Sequence, residues 1–391
     1  MKIVHVAPPL LPEVLSTSGG AIQRRVLELA TRQHRRGHEV HVFSPGVEAA
    51  SRTHDGVVFT MLPVGRSALL DQLRYQWQVS ARVRAMRDTV SVVHCHSTPE
   101  FAALCRGMNV PIVLSYDEYH FRRGRKTPLF RLVRAMLQRF DRLLPVSDYC
   151  ATASAAYWEL PTERIDVVFN GVNLQQFAPD ADAGGGFREE VGLTGHIALY
   201  VGRMNEQKGS DVLVEATRLL RDRQVPVTVV AAGPVGQFHG SGHEPRWDLQ
   251  LADAGGVHLG VVHEAQLPAL YNMATVFVMP TRHLEMFGMA VVEAQATGCP
   301  VIATDHGGLR ETVHLEAGGS LVPVGDADAL AHAIARSVRA APDATIAQRN
   351  RTFVSRFDWE RICDQLDTIY LDSDRSTPMT SSPLRTGVHH V

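Results

Sequence analysis

Two carboxylates eight residues apart, Glu285 and Glu293, bracket the segment of the chain richest in chemistry. Between them run Met286, Phe287, Gly288, Met289, Ala290, Val291 and Val292. Gly288 lets the backbone turn sharply, and the helix formers after it predict a helix with an uncovered N-terminus. The N–H groups of Phe287, Gly288 and Met289, with the positive end of the helix dipole, then form a place for an anion. Glu285, beside that place, can accept hydrogen bonds from sugar hydroxyls. Glu293, two turns along, can reach a second polyol such as a ribose. A site for phosphate and two sets of hydroxyls suits a sugar nucleotide. The plainer alternative is a surface helix with two solvated glutamates.

A second group lies in Val201-Gly202-Arg203-Met204-Asn205-Glu206-Gln207-Lys208-Gly209. Gly202 permits close approach, and Arg203 and Lys208 place two cations on a loop between a strand and a helix. A diphosphate would be neutralised there. The P-loop pattern G-x-x-x-x-G-K-[ST] is absent. Gly19 and Gly20 form a turn between the first strand and the first helix, suited to phosphate or sugar contact. They do not make the dinucleotide fingerprint G-x-G-x-x-G. His96 ends another strand and is a candidate site residue, whereas His94 is read as structural. Glu100, Asp117, Glu118, Tyr119 and His120 lie on the same carboxyl rim, where α/β sheets bind ligands.

The elements that must position these groups alternate. Strands are predicted at residues 2–7, 39–43, 57–63, 91–96, 111–116, 143–147 and 165–169, with helices at 21–36 and 69–87 between them. After a polar, glycine-rich linker at 178–187 the alternation resumes. Strands fall at 197–201, 227–231, 257–260, 274–280 and 301–303, with helices at 210–221, 264–272 and 326–339. A last helix covers 359–371. The fold class is α/β, with two Rossmann-like, doubly wound parallel-sheet domains. The N-terminal domain is placed at 1–180, rejoined by the C-terminal helix at 358–372. The C-terminal domain takes 187–357, and a Ser/Thr/Pro-rich tail at 373–391 is expected to be disordered.

Composition narrows the class. A length of 391 residues suits two domains, and 45% apolar with 20% charged residues is ordinary for a globular chain. A net charge of −2 gives no support for nucleic-acid binding. The five cysteines form no C-x-x-C pair, so neither zinc nor a disulfide framework is indicated. No signal peptide or transmembrane run is evident, and a cytoplasmic location is expected. Residues 121–142 hold eight Arg or Lys and one acid on an apolar stripe. This predicts a basic amphipathic helix, packed on its own sheet or in peripheral contact with an anionic membrane.

Taken together, Gly202-Arg203, Lys208-Gly209, Glu285-x7-Glu293 with Phe287-Gly288, and Gly307-Gly308-x-x-Glu311 resemble the retaining GT-B glycosyltransferases of family 4. Asn170-Gly171-Val172-Asn173, Phe177-x-Pro179 and the Gly19-Gly20 helix start are similar to that family too. The resemblance implies two domains facing across a cleft and a nucleoside-diphosphate sugar as donor, with no cofactor and no metal. It implies Arg203 and Lys208 at the diphosphate, Glu293 at the ribose and Glu285 at the donor sugar. Met286, Phe287, Gly288 and Met289 would line the donor, and the backbone near Gly202, Gly233 and Val262 would meet the nucleotide. His96 matches a family histidine near the reacting carbon, which makes His96, Glu285, Arg203 and Lys208 the implied catalytic set. At Ser115-Tyr116-Asp117-Glu118 the chain has acids where many relatives carry a histidine.

The acceptor is therefore read from Asp117, Glu118 and Tyr119. Acids on that rim attract a cation, which makes a small-molecule aminocyclitol or amino sugar in antibiotic assembly the first expectation. The alternatives are a lipid-linked or phosphorylated acceptor in cell-envelope glycan synthesis, or a sugar-nucleotide epimerase on the same fold.

Overall fold

The computed structural model describes residues 1–9, 13–15, 20–65, 68–104, 109–117, 127–236, 245–340, 343 and 345–373. The chain divides into two compact units: Met1–Asn170 with the chain from Trp359 onward, and Gly171–Asp358. The division falls at Asn170/Gly171, earlier than the 178–187 linker read from the sequence.

Among the described residues, unit 1 holds a seven-stranded sheet. Its strands are β1 (Lys2–Val6), β2 (Glu39–Gly46), β3 (Ala50–His54), β4 (Val57–Pro63), β5 (Val92–His96), β6 (Ile112–Tyr116) and β7 (Arg142–Pro145). Their order is β3-β4-β2-β1-β5-β6-β7. All neighbours are parallel except β3 and β4, so the sheet is mixed rather than purely parallel. The cause is Asp55-Gly56, whose φ values of 47° and 79° give the double left-handed turn that closes a two-residue hairpin. β3 is polar and mostly exposed, and its lack of apolar alternation hid it from a hydrophobicity reading.

The helices of this unit are α1 (Ala21–Arg35), α2 (Ala68–Ala85), α3 (Phe101–Leu104), α4 (Pro128–Leu137) and α5 (Asp148–Trp158). The basic helix expected at 121–142 is shorter. Thr127 caps α4, Arg142 already opens β7, and residues 121–126 lie outside the described residues. The expected strand 165–169 reduces to a single bridge between Leu143 and Ile165. The C-terminal helix Trp359–Asp372 returns to unit 1 and buries Trp359, Ile362, Cys363, Leu366, Ile369 and Tyr370 in the same core as Ile3, Val26 and Leu29. Each such side chain contributes about 1.5–3 kcal/mol. Residues 374–391, expected to be disordered, lie outside the described residues.

Unit 2 holds β8 (His196–Val201), β9 (Val227–Ala232), β10 (Val257–His258), β11 (Val276–Met279), β12 (Val301–Thr304) and β13 (Ser320–Val322). They run parallel in the order β10-β9-β8-β11-β12-β13. Its helices are α6 (Ala181–Glu190), α7 (Ser210–Asp222), α8 (Trp247–Asp253), α9 (Leu267–Asn272), α10 (Met289–Ala296), α11 (Leu309–Thr312), α12 (Ala327–Arg339) and α13 (Thr345–Val354). The glycine-rich stretch read as a linker is α6. Asp180 caps it by accepting from Ala183 N at 2.9 Å. Gly184 lies so near α9 that a Cβ there would sit 2.6 Å from Asn272 O. Gly184 thus serves helix packing, whereas a Cβ on Gly185 or Gly186 would meet open space.

Candidate functional site

In unit 2 the predicted residues converge at the carboxyl ends of β8 and β11. The loop after β8 is fixed from within. Asn205 Oδ1 accepts from Lys208 N at 2.9 Å, and the Tyr200 hydroxyl donates to Arg203 O at 2.6 Å. It is also tied to the loop after β11, because Gln207 O accepts from the N–H groups of Arg282 and His283 at 2.9 and 2.8 Å. Across this seam the Lys208 ammonium donates to Glu285 Oε1. Burial raises the Tyr200 hydroxyl far above its ordinary range, and the nearby Glu285 charge raises it further. Burial also lowers the Arg203 guanidinium from its usual value, with Tyr200 opposing.

Glu285 is held by its backbone. Its carbonyl accepts from Gly308 N at 2.8 Å, and a Cβ on Gly307 would lie 2.3 Å from the same oxygen. Gly307, with φ 63°, thus lets the two turns touch. Gly288 is the N-cap of α10 with φ 85° and offers no side chain to the first turn. Met286 and Phe287 are buried, and Phe287 O accepts from Thr312 Oγ1 at 2.9 Å. Glu293 is buried inside α10 and accepts from the Tyr271 hydroxyl at 2.9 Å. The picture of two solvated glutamates is therefore excluded. Gly233 N donates to Gly260 O at 2.7 Å, which sets Gly233 beside the turn that carries Val261 and Val262.

In unit 1, Gly20 opens α1 and its N–H donates to Gln23 Oε1 at 3.0 Å. Gly19, Glu118 and Tyr119 lie outside the described residues. His96 ends β5 and lies fully buried against His5 and His94. Ligating atoms of the three rings fall within 4.8 Å of one another. Five of the six ring nitrogens are hydrogen-bonded, to His96 or His5, Gln33, Tyr370 and Ser115. Burial is the main cause that lowers all three below the usual histidine range, His5 to about 4. The rings are neutral at pH 7.

Beside them lies Arg25, 3% exposed on the core face of α1. It donates to Asn170 Oδ1 at 2.6 Å and to Ser115 Oγ at 3.0 Å. Burial lowers its pKa to about 10, so it stays charged at neutral pH. Arg25, His96, Ser97, Tyr116 and Asp117 line one pocket at the carboxyl rim of this sheet. Asp117 Oδ1 accepts from Ser97 Oγ at 3.1 Å, while Glu100 stands exposed.

Comparison with known proteins decides the family. The chain matches the "Glycosyl transferases group 1" model over residues 187–373 and the "Glycosyltransferase Family 4" model over 19–176. It is 30% identical over 359 residues to the D-inositol 3-phosphate glycosyltransferase of Jonesia denitrificans, covering 83% of each chain. The chain belongs to the group 1 glycosyltransferases of family 4. It is also 26% identical to the phosphatidyl-myo-inositol mannosyltransferase of Mycobacterium tuberculosis, over 90% of this chain and 93% of that one. The Anabaena protein HepE, crystallised with UDP, shares its GT-B fold at a TM-score of 0.74 and 21% identity, over 94% of this chain and 99% of that one.

Some residues that contact these candidate site residues escape a sequence reading. Tyr271, the partner of Glu293, is an ordinary aromatic of a short helix. Arg25 did leave a signal: it adjoins Val26 on the stripe that continues to Leu29 and Ala30, where a charge is buried only with partners. Among the described residues no helix is long and apolar enough to cross a membrane.

Proposed function

We propose that this glycosyltransferase moves a sugar from a nucleoside-diphosphate sugar to a hydroxyl of a phosphorylated polyol of the inositol phosphate class, with retention and without a metal. The observation that carries the donor half is the Lys208–Glu285 pair at the tip of the unit 2 sheet, with Arg203 on the same loop. A diphosphate replaces the carboxylate as the partner of Lys208, and Glu285 is then free to accept from the sugar's hydroxyls. Arg203, Lys208 and the N-terminus of α10 stabilise charge on the departing diphosphate. Tyr271 orients Glu293 for the ribose, and the turn near Gly233 and Val262 takes the base. UDP is the nucleotide to test first, since HepE was crystallised with it.

The acceptor class follows the relatives, which act on D-inositol 3-phosphate and on phosphatidyl-myo-inositol. The amine expected from the acids on the unit 1 rim has weaker support. Asp117 shares its pocket with the buried Arg25 guanidinium, which opposes an ammonium. Antibiotic assembly accordingly gives way to a phosphorylated or lipid-linked acceptor. A donor panel should be offered with glucosamine, myo-inositol, myo-inositol 3-phosphate or phosphatidylinositol vesicles. Preference for the inositol phosphates is expected, and preference for glucosamine would overturn the acceptor class. Isomerised donor formed without acceptor would indicate an epimerase instead.

A further inference from the structure

Behind the turn that opens α10 lie two buried polar side chains, Thr312 and Gln295, 0% and 1% exposed. A valine would fill nearly the same space as Thr312, so packing alone does not ask for a hydroxyl there. An apolar interior resists a hydroxyl unless it is hydrogen-bonded. The Thr312 hydroxyl donates to Phe287 O at 2.9 Å. Gln295 holds Thr312 in turn. Its Nε2 donates to Thr312 O at 2.6 Å, and its Oε1 accepts from His314 N at 2.7 Å. Gln295 belongs to α10 and Thr312 to α11, so the two helices lock each other at this turn.

A trans peptide is planar, with its C=O and N–H on opposite sides. The Phe287–Gly288 peptide is trans, and its carbonyl is drawn to α11. The Gly288 N–H therefore points away from α11. The Glu285–Met286 peptide is fixed by the same element, because Glu285 O accepts from N–H of Gly308, the N-cap of α11, at 2.8 Å. The Met286 N–H then points away from α11 as well. Met286 and Gly288 are buried, and among the described residues neither N–H meets an acceptor. Native chains rarely leave a buried N–H without one. Both stand in the turn next to Glu285, the partner of Lys208, and Gly288 caps the positive end of the α10 dipole. An anionic oxygen is the acceptor that suits this place.

We propose that Thr312 is a positioning residue for the donor: its hydroxyl sets the Phe287–Gly288 peptide so that the Gly288 N–H meets a diphosphate oxygen, and Gln295 holds Thr312 in place. This rests on the reading of unit 2 as the donor side. It adds a residue, behind the loops that meet the donor, on which affinity for the diphosphate depends.

The chain has one Phe-Gly pair, Phe287-Gly288. Protein carrying 13C-carbonyl phenylalanine and 15N-glycine therefore shows this peptide alone in a carbonyl-to-amide correlation spectrum. UDP should move the Gly288 amide proton downfield. In T312V the Phe287 carbonyl resonance should move upfield, and the response of the amide to UDP should shrink. UDP affinity by calorimetry should fall about tenfold, the scale of one hydrogen bond to a charged group. T312S keeps the hydroxyl and should restore both. A threonine that only supports the fold would lower the melting temperature in T312V and leave UDP affinity and the amide response unchanged. UDP bound to the wild type with a silent Gly288 amide would overturn the proposal, a result that needs no variant to fold. Equal UDP affinity in T312V and wild type would overturn it too, as would T312S no better than T312V. If UDP, GDP and ADP all fail to bind the wild type, the donor reading falls and the proposal with it.

Discussion

Lys208 and Glu285 join the loop after β8 to the loop after β11 through one ion pair, with side chains 35% and 15% exposed. So partly exposed a pair adds little to stability, on the order of 1 kcal/mol or less. Its consequence is for binding. Lys208→Ala and Arg203→Ala should each weaken UDP binding by about 10- to 100-fold, the range for a charge-assisted hydrogen bond. Melting temperatures should hardly move. Calorimetry with UDP checks this, and unchanged affinity in both variants would remove the donor assignment.

The two glutamates should separate kinetically. Glu285→Gln removes the counter-charge of Lys208, so UDP affinity should hold or rise while kcat falls about 100-fold through lost sugar contacts. Glu293→Gln retains a group that can accept from Tyr271 but loses the charge, and should lower UDP affinity about tenfold with a smaller effect on kcat. Binding of bare UDP set beside steady-state rates decides. The reverse pattern would mean that the roles are exchanged.

The sites were legible in unequal measure, and the reasons are physical. Gly202, Arg203, Lys208, Glu285 and Gly288 stand at strand ends in local motifs, so their neighbourhood could be read along the chain. The contact of Lys208 with Glu285 could not, because 77 residues separate them and only the order β8-β11 makes them neighbours. The histidine cluster depends on β1 lying beside β5, with His5 registered against His94. Nothing local in His5 announces this. Apolar alternation found most strands, but β3 has none, and its only signal was Asp55-Gly56. Glycine density misled at 184–186, since all three glycines lie inside α6 and Gly184 permits its close contact with α9.

Turnover should survive a strong chelator. Arg203, Lys208 and the N-terminus of α10 already bring positive charge to the place where the diphosphate would lie, which is what a divalent ion would otherwise supply. The rate measured with and without chelator should agree within experimental scatter. Loss of activity on chelation, restored by magnesium or manganese, would show that a metal is required.

Acid should loosen unit 1 through its buried histidines. His5 falls from 6.5 to about 4 in the fold, and His94 and His96 are also held well below the ordinary range, in each case chiefly by burial. In the unfolded chain all three take up a proton near pH 6.5. The unfolded state therefore binds more protons than the folded state below that pH, and stability falls as pH falls. The contribution is whole above pH 6.5 and is progressively lost toward pH 4. From His5 alone the loss by pH 5 is roughly 2 kcal/mol. Three of the four tryptophans, Trp77, Trp158 and Trp359, lie in unit 1, so fluorescence reports mainly on it. The urea midpoint read by fluorescence should fall steadily between pH 7 and pH 5, and the slope should flatten in His5→Gln. A midpoint independent of pH over that interval, or an equal slope in the variant, would show that these rings do not stay neutral in the fold.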